Sequence, residues 1–181
     1  MTGSKVLKTA FIKTLDVSFL YDDKEFSRNY TQMPEYRRRK IDFYKFKKDK
    51  ALSLGAGILM EELIDYLKKN LPASKHSFEV TFTEQGKPFF KNLPDIHFSL
   101  AHSGKKVIAA VSSNKIGVDV EEIDANRDID LKKWTKAESY IKAKGLSISD
   151  YIDGKIRLPD NSYFKQWQED GYIFAVYEEK N

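Results

Sequence analysis

Residues 95–121, DIHFSLAHSGKKVIAAVSSNKIGVDVE, narrow the possible folds of this chain more than any other stretch. Branched and aromatic residues recur here in short runs, broken at Ser103-Gly104 and at Ser113-Asn114-Lys115. Runs of that length between turn-forming residues predict three consecutive strands, a local meander whose last member is IGVDVE. The elements around it are mixed. Leu52, Ala56, Leu59, Leu63 and Leu67 step by four, three, four and four, which predicts a long helix ending before Pro72. A shorter helix is expected from Pro34, in MPEYRRRKIDFYKF, with a thin apolar stripe at Ile41 and Tyr44 or Lys45. KVLKTAFIKTL (5–15) reads as an opening strand. SFEVTFT (77–83) reads as a half-buried one, with Phe78, Val80 and Phe82 inward.

Beyond the meander, residues 122–133 are polar and read as a loop. LKKWTKAESYIKAKGLSI then predicts a helix with Trp134, Ala137 and Ile141 as its core stripe and Gly145 at its stop. KIRL, SYFKQWQ and YIFAVYE close the chain as three strand-like pieces. The order of strand, helices, strands, helix and strands is that of an α+β protein. Each half, 1–100 and 101–181, holds a long helix and a group of strands, a pattern that admits two similar lobes without showing them, and no residue-level repeat is visible.

Composition removes several function classes. The 181 residues are 41% hydrophobic and 13% aromatic, as a folded globular chain requires. Cysteine is absent, which excludes disulfides, thiolate zinc sites and thiol nucleophiles. The N-terminal MTGSKVLKTAFIKTL lacks a long apolar core, and no window approaches 18 uninterrupted apolar residues, so neither a signal peptide nor a membrane span is expected. A cytoplasmic location follows as the expectation. No G-x-S-x-G, Walker A, G-x-G-x-x-G or H-E-x-x-H pattern occurs, and LGAG lies inside a helical stripe. Net charge is +4, with eight basic and two acidic residues in YRRRKIDFYKFKKDK (36–50). Such a block attracts polyanions: a phosphorylated cofactor, an acidic protein or nucleic acid.

Within IGVDVEEID, Asp119 and Glu121 project from one strand face while Val118 and Val120 project from the other. Their Cα atoms are then about 6.6 Å apart, from a rise of roughly 3.3 Å per residue. Like charges side by side repel, unless a hard divalent cation lies between them; the plainer reading is a solvated acidic edge. Glu138 falls beside the apolar stripe of its helix, with Lys142 one turn on. That pairing is either an ordinary i,i+4 ion pair or a metal ligand or general base with a lysine held beside it. His102, at a strand end before a Ser-Gly turn, and Lys87, in QGKP, are candidates for phosphate contacts.

Taken in order, GKP, LPDIHFSLAHSG, IGVDVEEID, WTKAESYIKAKGLSI and GYIFAV resemble the Sfp-type 4′-phosphopantetheinyl transferase family. PEYRRRKIDFYKFKKDKALSLG matches that family's basic helix pair more loosely. The resemblance implies a pseudo-twofold arrangement of two α/β lobes with coenzyme A bound between them. It also implies transfer of 4′-phosphopantetheine from coenzyme A to a serine of an apo acyl or peptidyl carrier protein, releasing 3′,5′-ADP. Mg²⁺, with Mn²⁺ as an alternative ion, would be held by Asp119, Glu121 and Glu138. Glu138 would act as base, with Lys142 near the transferring phosphate. His102 and Lys87 would contact the 3′-phosphate end of coenzyme A, and Arg37, Arg39 and Lys50 its remaining phosphates. The family usually acts as a monomer, and neither membrane nor nucleic acid is an expected partner.

Three departures stand out. Twelve residues separate Glu121 from Trp134, where the family carries a longer segment that helps form the carrier-protein surface. Ala101 replaces a serine before the motif histidine, and the arginine expected near Ala51 is missing, with Lys50 beside it. A non-catalytic coenzyme A- or nucleotide-binding relative is the alternative these departures leave open. A nucleic-acid-binding module built on the basic block ranks last, because it leaves the three acids unexplained.

Overall fold

A computed structural model describes residues 7, 9–84, 86–124 and 128–180. Its elements are β1 (Phe11–Asp16), α1 (Asp23–Gln32), α2 (Glu35–Asp42), α3 (Lys47–Asn70), β2 (Val80–Phe82), β3 (Pro88–Phe90), β4 (His97–Ser103), β5 (Lys106–Ser112), β6 (Ile116–Glu122), α4 (Leu131–Lys144), α5 (Ile148–Ile152), β7 (Phe164–Glu169) and β8 (Tyr172–Glu178). The chain is α+β, as its sequence pattern requires. Of the stretch preceding Phe11 in the expected opening strand, Lys5, Val6 and Lys8 lie outside the described residues.

Two three-stranded antiparallel sheets carry the fold, ordered β1-β5-β4 and β6-β8-β7, beside a small β2-β3 hairpin. The meander forms as read from its turns. Ser103 pairs with Lys106 across a two-residue turn, and Gly104 supplies the positive φ of 56° that the turn needs. β5 also pairs with β1, so the first sheet continues to Ser112. A lobe boundary at residue 100 therefore cuts through β4; the chain passes from one sheet to the other after β5.

The apolar stripe of α3 packs Leu54, Leu59, Leu63 and Leu67 against Val107, Ala109, Val111, Phe90 and Phe98. The opposite face of β4 and β5 places Ala101, Ile108 and Ala110 against Ile116, Val118, Val120, Phe174 and Val176 of the second sheet. Ala101 is thus a core residue. β4 and β6 meet along a seam in which serine hydroxyls serve as acceptors. Val118 N–H donates to Ser99 Oγ at 3.1 Å, and Glu122 N–H to Ser103 Oγ at 3.2 Å.

Several sequence expectations are corrected. Phe82, the last residue of the three-residue β2, is exposed, whereas Phe78 and Val80 pack against the core. Trp134 is half-buried; the buried positions of α4 are Leu131, Thr135, Ala137, Ser139, Ile141 and Ala143. KIRL is irregular, lying between Gly154 and Pro159. α1, not anticipated from the sequence, rests Phe26 and Tyr30, four residues apart, on the core, and Asp22 caps it by accepting from the amides of Lys24 and Glu25. The glycines of LGAG serve packing: a Cβ on Gly55 would lie 2.4 Å from Val17 Cγ1, and one on Gly57 3.1 Å from Arg37 Nε.

Gly117 decides where α4 lies. It shares the face of β6 that carries Asp119 and Glu121, and a Cβ there would fall 2.0 Å from the Ser139 carbonyl oxygen and 2.5 Å from the Ala143 amide nitrogen. Both are helix backbone atoms, so α4 approaches β6 as closely as a side-chain-free position permits. Gly117→Ala must lift the helix. The expected cost is about 2–3 kcal/mol in denaturant unfolding, in the range of overpacked cores. A change under about 0.5 kcal/mol would show that the contact is not limiting.

Candidate active site

The close seating of α4 brings its polar flank over the acids of β6. Asp119 is 4% exposed, and its Oδ1 accepts a 2.6 Å hydrogen bond from Lys142 Nζ. Lys142 Nζ also lies 3.9 Å from Glu138 Oε2, one helical turn earlier. Burial is the main reason that the Asp119 carboxyl titrates at about 6, with Glu138 and Glu121 pushing in the same direction and Lys142 opposing them. The other oxygen, Oδ2, is buried without a hydrogen-bond partner. A buried carboxylate oxygen left unpartnered is costly, and its repulsive neighbours are also oxygen donors. That chemistry suits a hard divalent cation. Among the described residues, however, no three His, Cys, Asp or Glu side chains converge tightly enough to enclose an ion. The acids share a neighbourhood, with Lys142 bonded among them. Glu121 reaches Ser103 Oγ at 3.4 Å from Oε2.

A basic rim adjoins this acidic floor. One cavity of about 320 Å³ is walled by Arg37, Lys40, His102, Tyr36, Tyr44 and Phe98 among others. A second, of about 270 Å³, includes Lys87 and Lys142. They share Gly86, Pro88, Phe98 and Leu100, so they are adjoining parts of one depression. His102 is open to solvent yet crowded by protein. Desolvation, and then the Lys142 charge, hold its ring below the ordinary imidazole value, with Asp49 acting against them. Arg37 lies against α3, where Gly57 makes room. Its Nη2 donates to the Ser53 carbonyl at 2.5 Å, Nε is buried without a partner, and burial lowers its pKa. Lys87 donates through Nζ to the Ala143 carbonyl at the end of α4, at 2.8 Å.

The structure brings together Asp119, Glu138 and Lys142, with His102, Lys87 and Arg37 around them. It does not bring in Arg39, which is largely exposed and paired with Glu35 at 2.5 Å. Lys50 is half-buried on the first turn of α3 and lines neither cavity. Lys40 was missed, although its position three residues after Arg37 on one helix puts both on the same face. Gly117, Tyr36 and Tyr44 were also missed, because only tertiary contacts reveal them.

With this geometry in view, the comparisons are informative. The family described as "4'-phosphopantetheinyl transferase, N-terminal" matches residues 21–114, just over half of the chain. The chain belongs to the 4′-phosphopantetheinyl transferase family. It is 28% identical over 183 aligned residues to 4'-phosphopantetheinyl transferase Sfp of Bacillus subtilis (strain 168), covering 79% of this chain and 80% of that protein. It is 31% identical to 4'-phosphopantetheinyl transferase psf-1 of Bacillus pumilus, over 66% of this chain and 52% of that one. It is 32% identical to 4'-phosphopantetheinyl transferase gsp of Aneurinibacillus migulanus, over 68% and 46% respectively. The family match ends before β6, so it does not reach the acids of β6 and α4. Among the described residues, no helix is long and apolar enough to cross a membrane.

Lys87 provides a pH test of the depression. Burial, and secondarily the Lys115 charge, lower its pKa to about 8. A folded pKa below the unfolded value means that the folded chain binds fewer protons between those values. The protonated amine therefore costs stability below about 8, and that cost is relieved as pH rises towards 10.5. Reductive ¹³C-methylation followed by NMR titration should show one lysine resonance with a midpoint near 8, absent in Lys87→Met. A Lys87 midpoint above about 10 would contradict the burial.

Proposed function

We propose that the protein transfers the 4′-phosphopantetheine group of coenzyme A to a serine hydroxyl of an apo acyl or peptidyl carrier protein, with release of 3′,5′-ADP, in a Mg²⁺-dependent reaction. Asp119 carries this reading. A buried carboxylate held by one lysine, with its second oxygen unpartnered and two further acids nearby, lies directly beside a depression rimmed with cations. Asp119, Glu121 and Glu138 would hold the ion, with Mn²⁺ able to replace it. When bound, it supplies positive charge against the pyrophosphate of the substrate.

The remaining chemistry falls to side chains of this chain. The carrier serine oxygen forms a bond to the phosphorus that bears pantetheine. The bond from that phosphorus to the bridging oxygen breaks, and 3′,5′-ADP leaves with the electron pair. The serine proton passes to Glu138, directly or through a water. Lys142, on the same helix flank, meets the negative charge on the transferring group, as positioned cations do in phosphoryl transfer. His102 and Lys87 face the 3′-phosphate end of coenzyme A. Arg37, joined by Lys40, serves its other phosphates. Arg39 and Lys50 add to the basic field around the depression.

In the two-lobe reading, β1–β5 with α1–α3 form one lobe and β6–β8 with α4 and α5 the other, with coenzyme A between them. The protein acts as a cytoplasmic monomer in this reading. No observation favours a non-catalytic relative, since the acids and the rim cations are retained together.

Two variants separate the roles. Asp119→Ala should reduce metal-dependent phosphopantetheine transfer by at least about a hundredfold while leaving the far-ultraviolet circular dichroism spectrum unchanged. Glu138→Gln should lower kcat more than it raises the KM for coenzyme A, as expected for a base. Near wild-type turnover in the first would remove Asp119 from the site, and in the second Glu138 from proton transfer.

A further inference from the structure

β6 ends in two consecutive acids, Glu121 and Glu122, and the turn between β4 and β5 treats them differently. Ser103 Oγ donates to Glu121 Oε2 at 3.4 Å and accepts from Glu122 N–H at 3.2 Å. Tyr172 Oη accepts from Lys105 N–H at 3.0 Å and donates to Glu122 Oε1 at 3.1 Å. One turn thus grips both carboxylates, through Ser103 directly and through Tyr172 by way of its own backbone. Gly104 makes the grip possible. Besides its positive φ, a Cβ there would lie 2.4 Å from Tyr172 Oη and 2.6 Å from Glu122 Oε2.

We propose that Ser103 is a positioning residue that aims the Glu121 carboxylate into the metal site, while Tyr172 draws Glu122 away from it. This rests on the proposed metal role of Glu121. A hydroxyl that donates to a ligating carboxylate restricts its rotamers and fixes which oxygen is presented, as outer-shell partners of metal ligands do. The same hydroxyl anchors the backbone of β6 through the Glu122 amide, so carboxylate and strand are held from one atom. Ser103 also adjoins His102, so the histidine proposed for the 3′-phosphate and the acid proposed for the ion sit on one clasp.

A purely structural role is separable, because Ser99 offers a matched control. Its Oγ accepts from Val118 N–H across the same seam at 3.1 Å, without a bond to a carboxylate. The test is the Mn²⁺ dissociation constant of the full chain in the presence of coenzyme A, read by electron paramagnetic resonance, together with thermal unfolding. Ser103→Ala should weaken Mn²⁺ binding roughly tenfold, the lower end for lost outer-shell partners. Ser103→Thr should restore it to within about threefold of wild type. Ser99→Ala should lower the melting temperature with Mn²⁺ affinity held within twofold. Unchanged affinity in Ser103→Ala, or equal weakening in both alanine variants, would overturn the positioning role. Failure of the wild-type chain to bind Mn²⁺ at all would overturn the metal reading beneath it, and the positioning role with it.

Discussion

The contact between Gly117 and the backbone of α4 is the constraint on which the rest of the site depends. A helix normally stands off a sheet by the depth of its own side chains and those of the strand. At Gly117 that separation collapses until the Ser139 carbonyl and the Ala143 amide occupy the space that a Cβ would need. Lys142 then meets Asp119, two residues along the same strand face, with Glu138 beside the lysine. The helix end travels with them, which places the Ala143 carbonyl within reach of Lys87 from the other side of the depression. One missing side chain thus positions an acid, a lysine and a bridge to the β2-β3 region.

Charge is distributed over that frame according to burial. The acids sit on β6 and α4, where Asp119 is deep enough to be partly protonated near neutral pH. The cations lie on a rim formed by α2, the end of β4 and the segment entering β3, and burial also weakens the protonation of His102 and Lys87. Groups whose ionisation is opposed by their surroundings are poised to gain from a ligand of opposite sign. An acidic floor beside a basic rim suits a substrate that brings phosphates to be bound and a hydroxyl to be deprotonated. The Ser103–Tyr172 clasp links the floor to the rim through a single turn.

Much of this was legible in the sequence. The three-strand meander, the leucine stripe of α3 and the Gly145 stop of α4 are local signals, because alternation, period and turn chemistry act over a few residues. Period shows that Asp119 and Glu121 share a strand face and Glu138 and Lys142 a helix flank, but only the family resemblance joined the four into one site. Other features depend on distant partners. α1 and α5 bury no residue completely, and α1 rests Phe26 and Tyr30 on a core built from distant segments. KIRL has strand composition, but no described strand pairs with it, and the Lys155 and Ile156 amides donate to Asp150 instead. Phe82 alternates as a buried residue would, yet it ends its strand and is exposed while Val80 packs against the core. Arg37, Arg39 and Lys50 are equivalent in sequence, and only packing against α3 selects the first. Ala101, which departs from the family's serine, is a small residue in the apolar layer between the sheets.

The central claim is the transfer reaction, and intact-mass spectrometry tests it most directly. A panel of apo acyl and peptidyl carrier proteins would be incubated with this protein and coenzyme A, with and without Mg²⁺. The expected result is at least one carrier that gains a single phosphopantetheine group, with the gain lost when the metal is withheld. No mass gain across the panel, with coenzyme A binding intact, would contradict it.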